Sequence, residues 1–381
     1  MTFNAKILPR ICDVARTDWN ALLPARDAPD YHPFTDWDFL NALEESGCVG
    51  ANTGWQPAHI WLQDASGNGA GCAPLYVKSH SMGEYVFDQG WADAAARSGQ
   101  DYYPKLQCAV PFTPVNGPRL ISQTPGAETA MVQTLKDICL QNDMSGVHLT
   151  FGDKNLVQRL AEQGFLIRTD RQFHFFNRGY KNFDEFLAGL TARKRKKIKA
   201  ERRKAAEHVQ IKRLRGDDIK PEHWDAFYHF YQDTSARKWG RAYLTRAFFA
   251  AVHAHMGEQI LLVLAYQDDT PIAGALNFIG GDALYGRHWG AAVDIPFLHF
   301  ELCYYQAVEA AVNMGLSRVE AGAQGEHKLA RGYEPVTTYS AHYLTNPGLH
   351  EAVANFLERE RRAVKHHIDV LNELTPFRKG D

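Results

Sequence analysis

The chain repeats itself at long range, and this repetition narrows its fold more than any other feature. Pro57-Ala58-His59-Ile60-Trp61-Leu62 is followed by a polar turn, Asp64 to Gly69, and then by Ala73-Pro74-Leu75-Tyr76-Val77. Gln259 to Tyr266 is likewise followed by Asp268-Asp269-Thr270-Pro271 and then by Ile272 to Ile279. Both read as apolar strand, polar turn, apolar strand. The echo continues downstream. Val147 to Phe151, a helical stretch Leu156 to Gln163, Gly164-Phe165 and a strand through Phe173-His174-Phe175 form one copy. Arg318 to Ala321, a short helix Glu326 to Arg331, Gly332-Tyr333 and Thr337 to Leu344 form the other. In each, a glycine suits the position after the helix, with an aromatic residue packing back.

Two copies of one mixed α/β unit are therefore expected, divided near Tyr180. The second copy reads more clearly. Asn182 with Glu185 makes a capping-box-like start, and Phe183, Phe186, Leu187 and Leu190 mark one face of a helix. A strand Val209 to Leu214 and helices Pro221 to Tyr231 and Leu244 to His255 lead to the hairpin. Leu284 to Trp289 is its next strand, Leu298 to Met314 a long helix, and Leu349 to about Glu373 a polar outer helix.

A composition of 45% hydrophobic and 23% charged residues is that of a soluble globular enzyme. Met1 to Asn20 carries charges throughout, unlike a signal peptide, and no run is apolar enough for a membrane span. The 6 cysteines are scattered without a close pair, which points to reduced thiols in a cytoplasmic protein, with no zinc site. The net charge of −2 is unevenly spread: 9 Lys/Arg and one acid, Glu201, stand between Arg193 and Lys204, leaving −10 for the rest. On a helix these charges surround the axis, so a solvated face is the ordinary outcome and contact with an RNA backbone the sharper one.

Three further stretches carry candidate chemistry. In Leu298 to Met314, a projection at 100° per residue puts His299, Gln306, Glu309 and Asn313 in one polar sector, while Glu301 falls among Tyr305, Val308 and Val312. Glu320 to Lys328 follows an expected central strand, where open α/β sheets place ligands. Glu320, Gln324, Glu326, His327, Lys328 and Arg331 offer acid, base and anion-holding groups there, and a buried Glu320 needs a partner or a raised pKa. Lys78 to Tyr85, leading through Phe87-Asp88 to Tyr102-Tyr103-Pro104-Lys105, suits substrate recognition. A hydrolase triad is not the expected reading of its Ser, His and Glu, since triad members come from different elements and no Gly-x-Ser-x-Gly elbow is present.

Seven stretches together resemble the FemAB-like group of N-acyltransferases, linked to peptidoglycan biosynthesis. They are Ser79 to Asp88, Tyr102 to Leu106, Pro111 to Val115, Gln172 to His174, Arg193 to Lys196, Leu298 to Gln306 and Glu320 to Lys328, in the group's order. The likeness runs from about His32 to Arg362, with Phe175 where Trp is usual and Gln89-Gly90 before Trp91. It implies a duplicated acetyltransferase-like (GNAT) fold and kinship with the Fem aminoacyltransferases, which move amino acids from tRNA onto peptidoglycan precursors.

The resulting expectation is a mixed α/β protein of two tandem GNAT modules. Residues 1–180 would recognise substrate, and residues 181–381 would bring the basic entry helix and the donor and catalytic cleft. The activity expected is N-acyl transfer from acyl-CoA (coenzyme A) or aminoacyl-tRNA to a small-molecule or peptide amine. Glu320, Glu301 and His327 are the expected catalytic residues; Lys328, Arg331, Gln324 and Trp289 would hold the donor. His80, Ser81, Glu84, Tyr85, Tyr103, Lys105, His174 and Arg287 would contact the substrate. The rival expectation is a non-catalytic glycan- or peptide-binding protein on the same duplicated scaffold.

Overall fold

The structure, a computed structural model, describes residues 2–207, 209–239, 242–322 and 325–378. Its strands, in chain order, are β1 (Asn4–Leu8), β2 (Trp55–Pro57), β3 (His59–Gln63), β4 (Gly69–Ala73), β5 (Leu75–Lys78) and β6 (Lys105–Cys108). Next come β7 (Ile121–Ser122), β8 (Gly146–Gly152), β9 (Leu166–Phe176), β10 (Gln210–Arg215) and β11 (Ile260–Gln267). The last four are β12 (Thr270–Ile279), β13 (Ala283–Ala291), β14 (Arg318–Glu320) and β15 (Glu334–Leu344). Two compact units form. One holds the chain up to Ala25, Phe34–Arg171 and Thr337–His367; the other holds Arg26–Pro33, Gln172–Val336 and the chain from Ile368 on.

In the first unit β1, β3 and β4 pair antiparallel, and the chain of β4 resumes after Pro74 as β5. Beyond it lie β6, antiparallel to β5, then β8, parallel to β6, then β15, antiparallel to β8. The second unit has the same order. There β10, β11, β12 and β13 pair antiparallel, β14 runs parallel to β13, and β9 closes antiparallel to β14. The repetition read from the sequence is thus an architectural one. The closing strand of each unit comes from the other copy's sequence: β9 follows the first copy's helix Lys154–Glu162, and β15 follows the second copy's turn Glu326–Arg331.

Local chemistry accounts for the turns. Asp268 and Asp269 both take positive φ between β11 and β12, the type I′ geometry that matches the twist of a two-residue hairpin. In the first unit, Asp64 Oδ1 accepts from the amides of Ser66 and Asn68. Each unit buries one apolar side of its sheet under helices. In the first, Met131, Leu135 and Cys139 of the helix Pro125–Gln141 meet Leu106 and Leu149. In the second, Val308 and Val312 of the helix Gln306–Asn313 meet Leu284 and Val319. That second core holds 30 buried residues among those described, enough to make the unit's sheet a rigid base for the loops at its strand ends.

The long helix departs from its expected form. Glu301–Tyr305 is a π-helical turn, in which the Gln306 amide donates to Glu301 O, between Leu298–Phe300 and Gln306–Asn313. One extra residue per turn rotates everything after it, so a 100° projection through this point fails. Gln306, expected in the polar sector, is buried, whereas Asn313 is exposed.

Candidate functional site

In the second unit β13 and β14 pair only over Ala283–Tyr285 and Arg318–Glu320, after which β14 ends and β13 continues to Ala291. Arg287 stands as an extra residue opposite β12: Leu276 pairs with His288 and Asn277 with Gly286, which makes a bulge. The turn Glu326–Arg331 follows where β14 stops.

Glu320 is buried. Arg318 Nε donates to its Oε1 at 3.0 Å, while its Oε2 accepts no hydrogen bond and faces His174 Nε2 at 3.6 Å. Arg318 is itself held by Asp282 and by Tyr285 Oη. The partner expected for Glu320 was Lys328 or Arg331; the structure supplies Arg318, two residues away on the same side of β14. His174 lies directly across the ladder from Glu320, with Nε2 also 3.4 Å from Gln172 Oε1. Acceptors on two sides assign the proton to Nε2. Burial pushes the His174 pKa down, with Glu320 opposing.

Lys328 is buried as well. Its Nζ donates to Gly322 O at 2.9 Å, and among the described residues no carboxylate reaches it. Burial lowers its pKa to about 8. His327 is exposed, with Nε2 2.8 Å from Tyr304 Oη. Gly325 places it: with φ +112, a Cβ there would lie 2.5 Å from His327 Cε1. Arg331 donates to both oxygens of Glu201 at 3.1 and 3.0 Å and to His327 O, with its guanidinium 3.4 Å from the Phe300 ring centre. Trp289 is half-buried on β13, 5.1 Å from the His299 ring, and Gln324 lies outside the described residues.

Glu301 has both oxygens occupied. Arg202 Nε and Nη2 donate to it at 3.0 to 3.2 Å, and Gln306 Nε2 donates at 2.7 Å. Arg202 and Arg213 both reach Glu309, and Arg213 Nε reaches Gln306 Oε1. The basic stretch therefore has two sides. In the helix Ala192–Ala206, Ile198, Glu201 and Ala205 are buried and Arg202 is ion-paired beside them; Arg193, Lys196, Lys197, Lys199, Arg203 and Lys204 are exposed. Glu201, the lone acid of the run, also accepts from Tyr305 Oη.

The first unit gathers a second set around Lys105. Its buried Nζ donates to Ser81 Oγ at 2.9 Å, to Glu84 Oε2 at 2.8 Å and to Asp88. Tyr102 Oη donates to Asp88 Oδ2 at 2.7 Å, and Ser81 Oγ meets Tyr103 Oη at 2.7 Å. Lys78, also buried, lies 3.7 Å above the Trp55 ring and donates to Met82 O at 3.3 Å. His80 links Thr53 O, through Nε2, to the Met82 amide, through Nδ1, and Tyr85 takes a positive φ in the same loop. Burial lifts the Glu84 pKa to about 7 and drops that of Lys78 to about 7, whereas Lys105 holds Asp88 down to about 2. Behind them His148 and His342 face each other, Nδ1 to Nδ1 at 2.8 Å. Burial keeps both neutral, His148 at about 3.

Of the residues expected from sequence, the structure brings Glu320 and His174 together, and separately Ser81, Glu84, Tyr103 and Lys105. Lys78 and Asp88 lay in the stretch read for substrate recognition without being singled out, and His148, His342 and Arg318 were not read as neighbours of these groups. The available signal was polar residues at every second position of apolar strands, His148 and Thr150 among them.

Two units of this topology, each with a parallel strand pair that parts beyond a buried polar pair, define the tandem acetyltransferase-like class of fold. The chain belongs to the FemAB-like family, described by peptidoglycan biosynthesis/recognition, whose profile matches residues 10–379. Among solved structures it is similar to FemX, at 13% identity over 90% of this chain and 98% of that one, with a TM-score of 0.55. It is also similar to the C-terminal domain of a putative lysylphosphatidylglycerol synthetase from Agrobacterium fabrum, at 8% identity, 90% and 95% coverage and a TM-score of 0.52. A third is L-PGS from Bacillus licheniformis, at 9% identity, 84% and 96% coverage and a TM-score of 0.51. At such identities the likeness shows the fold alone. No curated protein sequence matches the chain. Among the described residues no helix is long and apolar enough to cross a membrane.

Proposed function

We propose that this protein is an N-acyltransferase that moves an acyl or aminoacyl group from an activated donor to an amine acceptor. The observation that carries this reading is the free oxygen of Glu320. One oxygen is fixed by Arg318 and the other accepts nothing, at the point where β13 and β14 part. A carboxylate so placed accepts the proton that a neutral amine sheds as it attacks, without first breaking a strong bond.

The acceptor's nitrogen attacks the donor carbonyl, the C–N bond forms, and the nitrogen's proton passes to Glu320 Oε2. The bond from the carbonyl carbon to sulfur (acyl-CoA) or to the ribose oxygen (aminoacyl-tRNA) then breaks. Lys328 gives the leaving atom a proton, a role for which a buried ammonium with its pKa lowered to about 8 is suited. His327, exposed and braced by Tyr304, contacts the donor with Arg331 and Trp289. Arg287, on the bulge, contacts the acceptor. Residues of the first unit, among them Ser81, Glu84, Tyr103 and Lys105, recognise the acceptor. An acyl-CoA donor is favoured over tRNA by a sequence pI near 6.8, and the cytoplasm is the proposed location.

The test offers purified protein a set of acyl-CoAs and aminoacyl-tRNAs with small amines and amino sugars, and reads products by mass spectrometry. Product that forms with wild type and is lost with Glu320→Gln supports the reading. Binding of glycans or peptides with no donor consumed would establish the non-catalytic alternative instead.

A further inference from the structure

The ladder from β2 to β15 in the first unit sorts its side chains by the two-residue period of a strand. Leu75, Leu106, Cys108, Val147, Leu149 and Ala341 point to one face and join the apolar core. The other face carries Tyr76, Lys78, Lys105, Gln107, His148 and His342, and all six are buried. Charged and amide side chains are seldom fully buried unless paired, so a polar face hidden from solvent needs a reason. Part of its cover is the stretch 79–91: Glu84 and Asp88 reach Lys105, and the Trp91 ring lies 4.8 Å from that of His342.

The pairing on this face is incomplete. Tyr76 Oη, Glu84 Oε1, Asp88 Oδ1, Gln107 Oε1 and His148 Nε2 are buried without a hydrogen-bond partner. Three of these are acceptors that cannot donate while the carboxylates are ionised. Those three oxygens lack donors, while the Tyr76 hydroxyl lacks an acceptor. The second unit has polar residues at the same positions: Gln107, His148 and His342 correspond by register to Tyr285, Glu320 and His174, and His342 reaches Ser340 as His174 reaches Gln172.

We propose that this face of the first unit is a binding site for a primary ammonium group of the ligand. An ammonium supplies three donors in a compact volume, which suits the oxygens of Glu84, Asp88 and Gln107 that accept no hydrogen bond, the first of them 3.8 Å from Lys78 Nζ. Charge balance is kept by Lys78. Lys105 is pinned as a cation by three bonds, but Lys78 has only long ones, to Met82 O at 3.3 Å and His80 Nδ1 at 3.5 Å, and 3.8 Å to Glu84. Lys78, the more weakly held of the two, stands neutral while a second ammonium is bound. Half-buried Ser81 and Tyr103 mark the way in. An ammonium paired with carboxylates keeps its proton and is no nucleophile. The group held here is a recognition handle, and the ligand carries a separate amine for acylation. That last clause rests on the N-acyltransferase reading; the binding does not.

The test titrates the full-length protein with n-propylammonium chloride by calorimetry and thermal unfolding, against n-propanol and sodium chloride at matched ionic strength. Saturable binding and a raised melting temperature are expected with n-propylammonium alone. Asp88→Asn should abolish binding. Because that change also strips partners from Lys105 and Tyr102, Gln107→Met, which keeps volume and every ion pair, is the second variant, with affinity expected to fall about tenfold. Equal responses to all three solutes mean the free atoms are satisfied by water, which overturns the proposal, as does unchanged affinity in Gln107→Met. Glu320→Gln, in the other unit, should bind propylammonium normally, so a failed transfer assay with intact binding indicts the transferase reading alone.

Discussion

Lys78 and Lys105 stand directly opposite each other on β5 and β6, both side chains withdrawn from solvent, yet only Lys105 is saturated with short bonds. Like charges facing across a ladder are destabilising, and here the strain falls on the lysine with the poorer partners. Burial accordingly brings the Lys78 pKa from 10.5 to about 7.

This asymmetry gives a pH signature. Between about pH 7 and 10.5 the unfolded chain protonates residue 78 and the folded chain does not, so stability contributed by this residue rises with pH. Lys78→Met removes the contribution. The stability of wild type relative to Lys78→Met, from urea unfolding at pH 7, 8 and 9, should grow by up to about 1.4 kcal/mol per unit. A pH-independent difference would mean that Lys78 stays charged and paired.

Glu320→Gln keeps shape and removes the proton acceptor. The variant should bind donor as wild type does, with turnover reduced on the order of 10²-fold or more. Steady-state kinetics beside donor calorimetry separates the two effects. Normal turnover would make Glu320 a buried acid held by Arg318 for structural reasons.

The basic helix should divide by side. Arg202→Met leaves Glu301 buried with Gln306 alone and should cost about 3–5 kcal/mol in chemical denaturation. Charge reversal of exposed Lys196, Lys197 and Lys199 should cost less, about 1 kcal/mol or under for each, although Lys197 lies 3.9 Å from Glu201 and Lys199 3.7 Å from Asp184. If the donor is aminoacyl-tRNA, the same reversals should flatten the salt dependence of RNA binding, read by filter binding at several salt concentrations. Absence of RNA binding at low salt would remove tRNA from the donors.

The duplication was legible because strand–turn–strand and helix–Gly–aromatic signals are local, fixed by residues such as Asp268 and Gly332 that few turns can do without. Glu320 was legible too, as an acid whose place in an expected central strand implied burial. Its partner Arg318 was not, since spacing along a strand says nothing of which neighbour's charge is nearest. Gln306 was misplaced because a π turn is a phase change invisible to a periodic projection. The Lys105 centre was half-read: the motif from Ser79 to Asp88 drew attention, but His148 and His342 lie 194 residues apart and meet only through the ladder.

The exchange of closing strands, β9 and β15, has a consequence for handling. A fragment ending near residue 180 would leave β8 without Tyr339–Leu344, and one beginning there would leave β14 without His174–Phe176. Each piece would bare a strand edge that invites aggregation. Either half, cut near residue 180, loses the strand that completes its sheet, so the intact chain is the unit to express and handle.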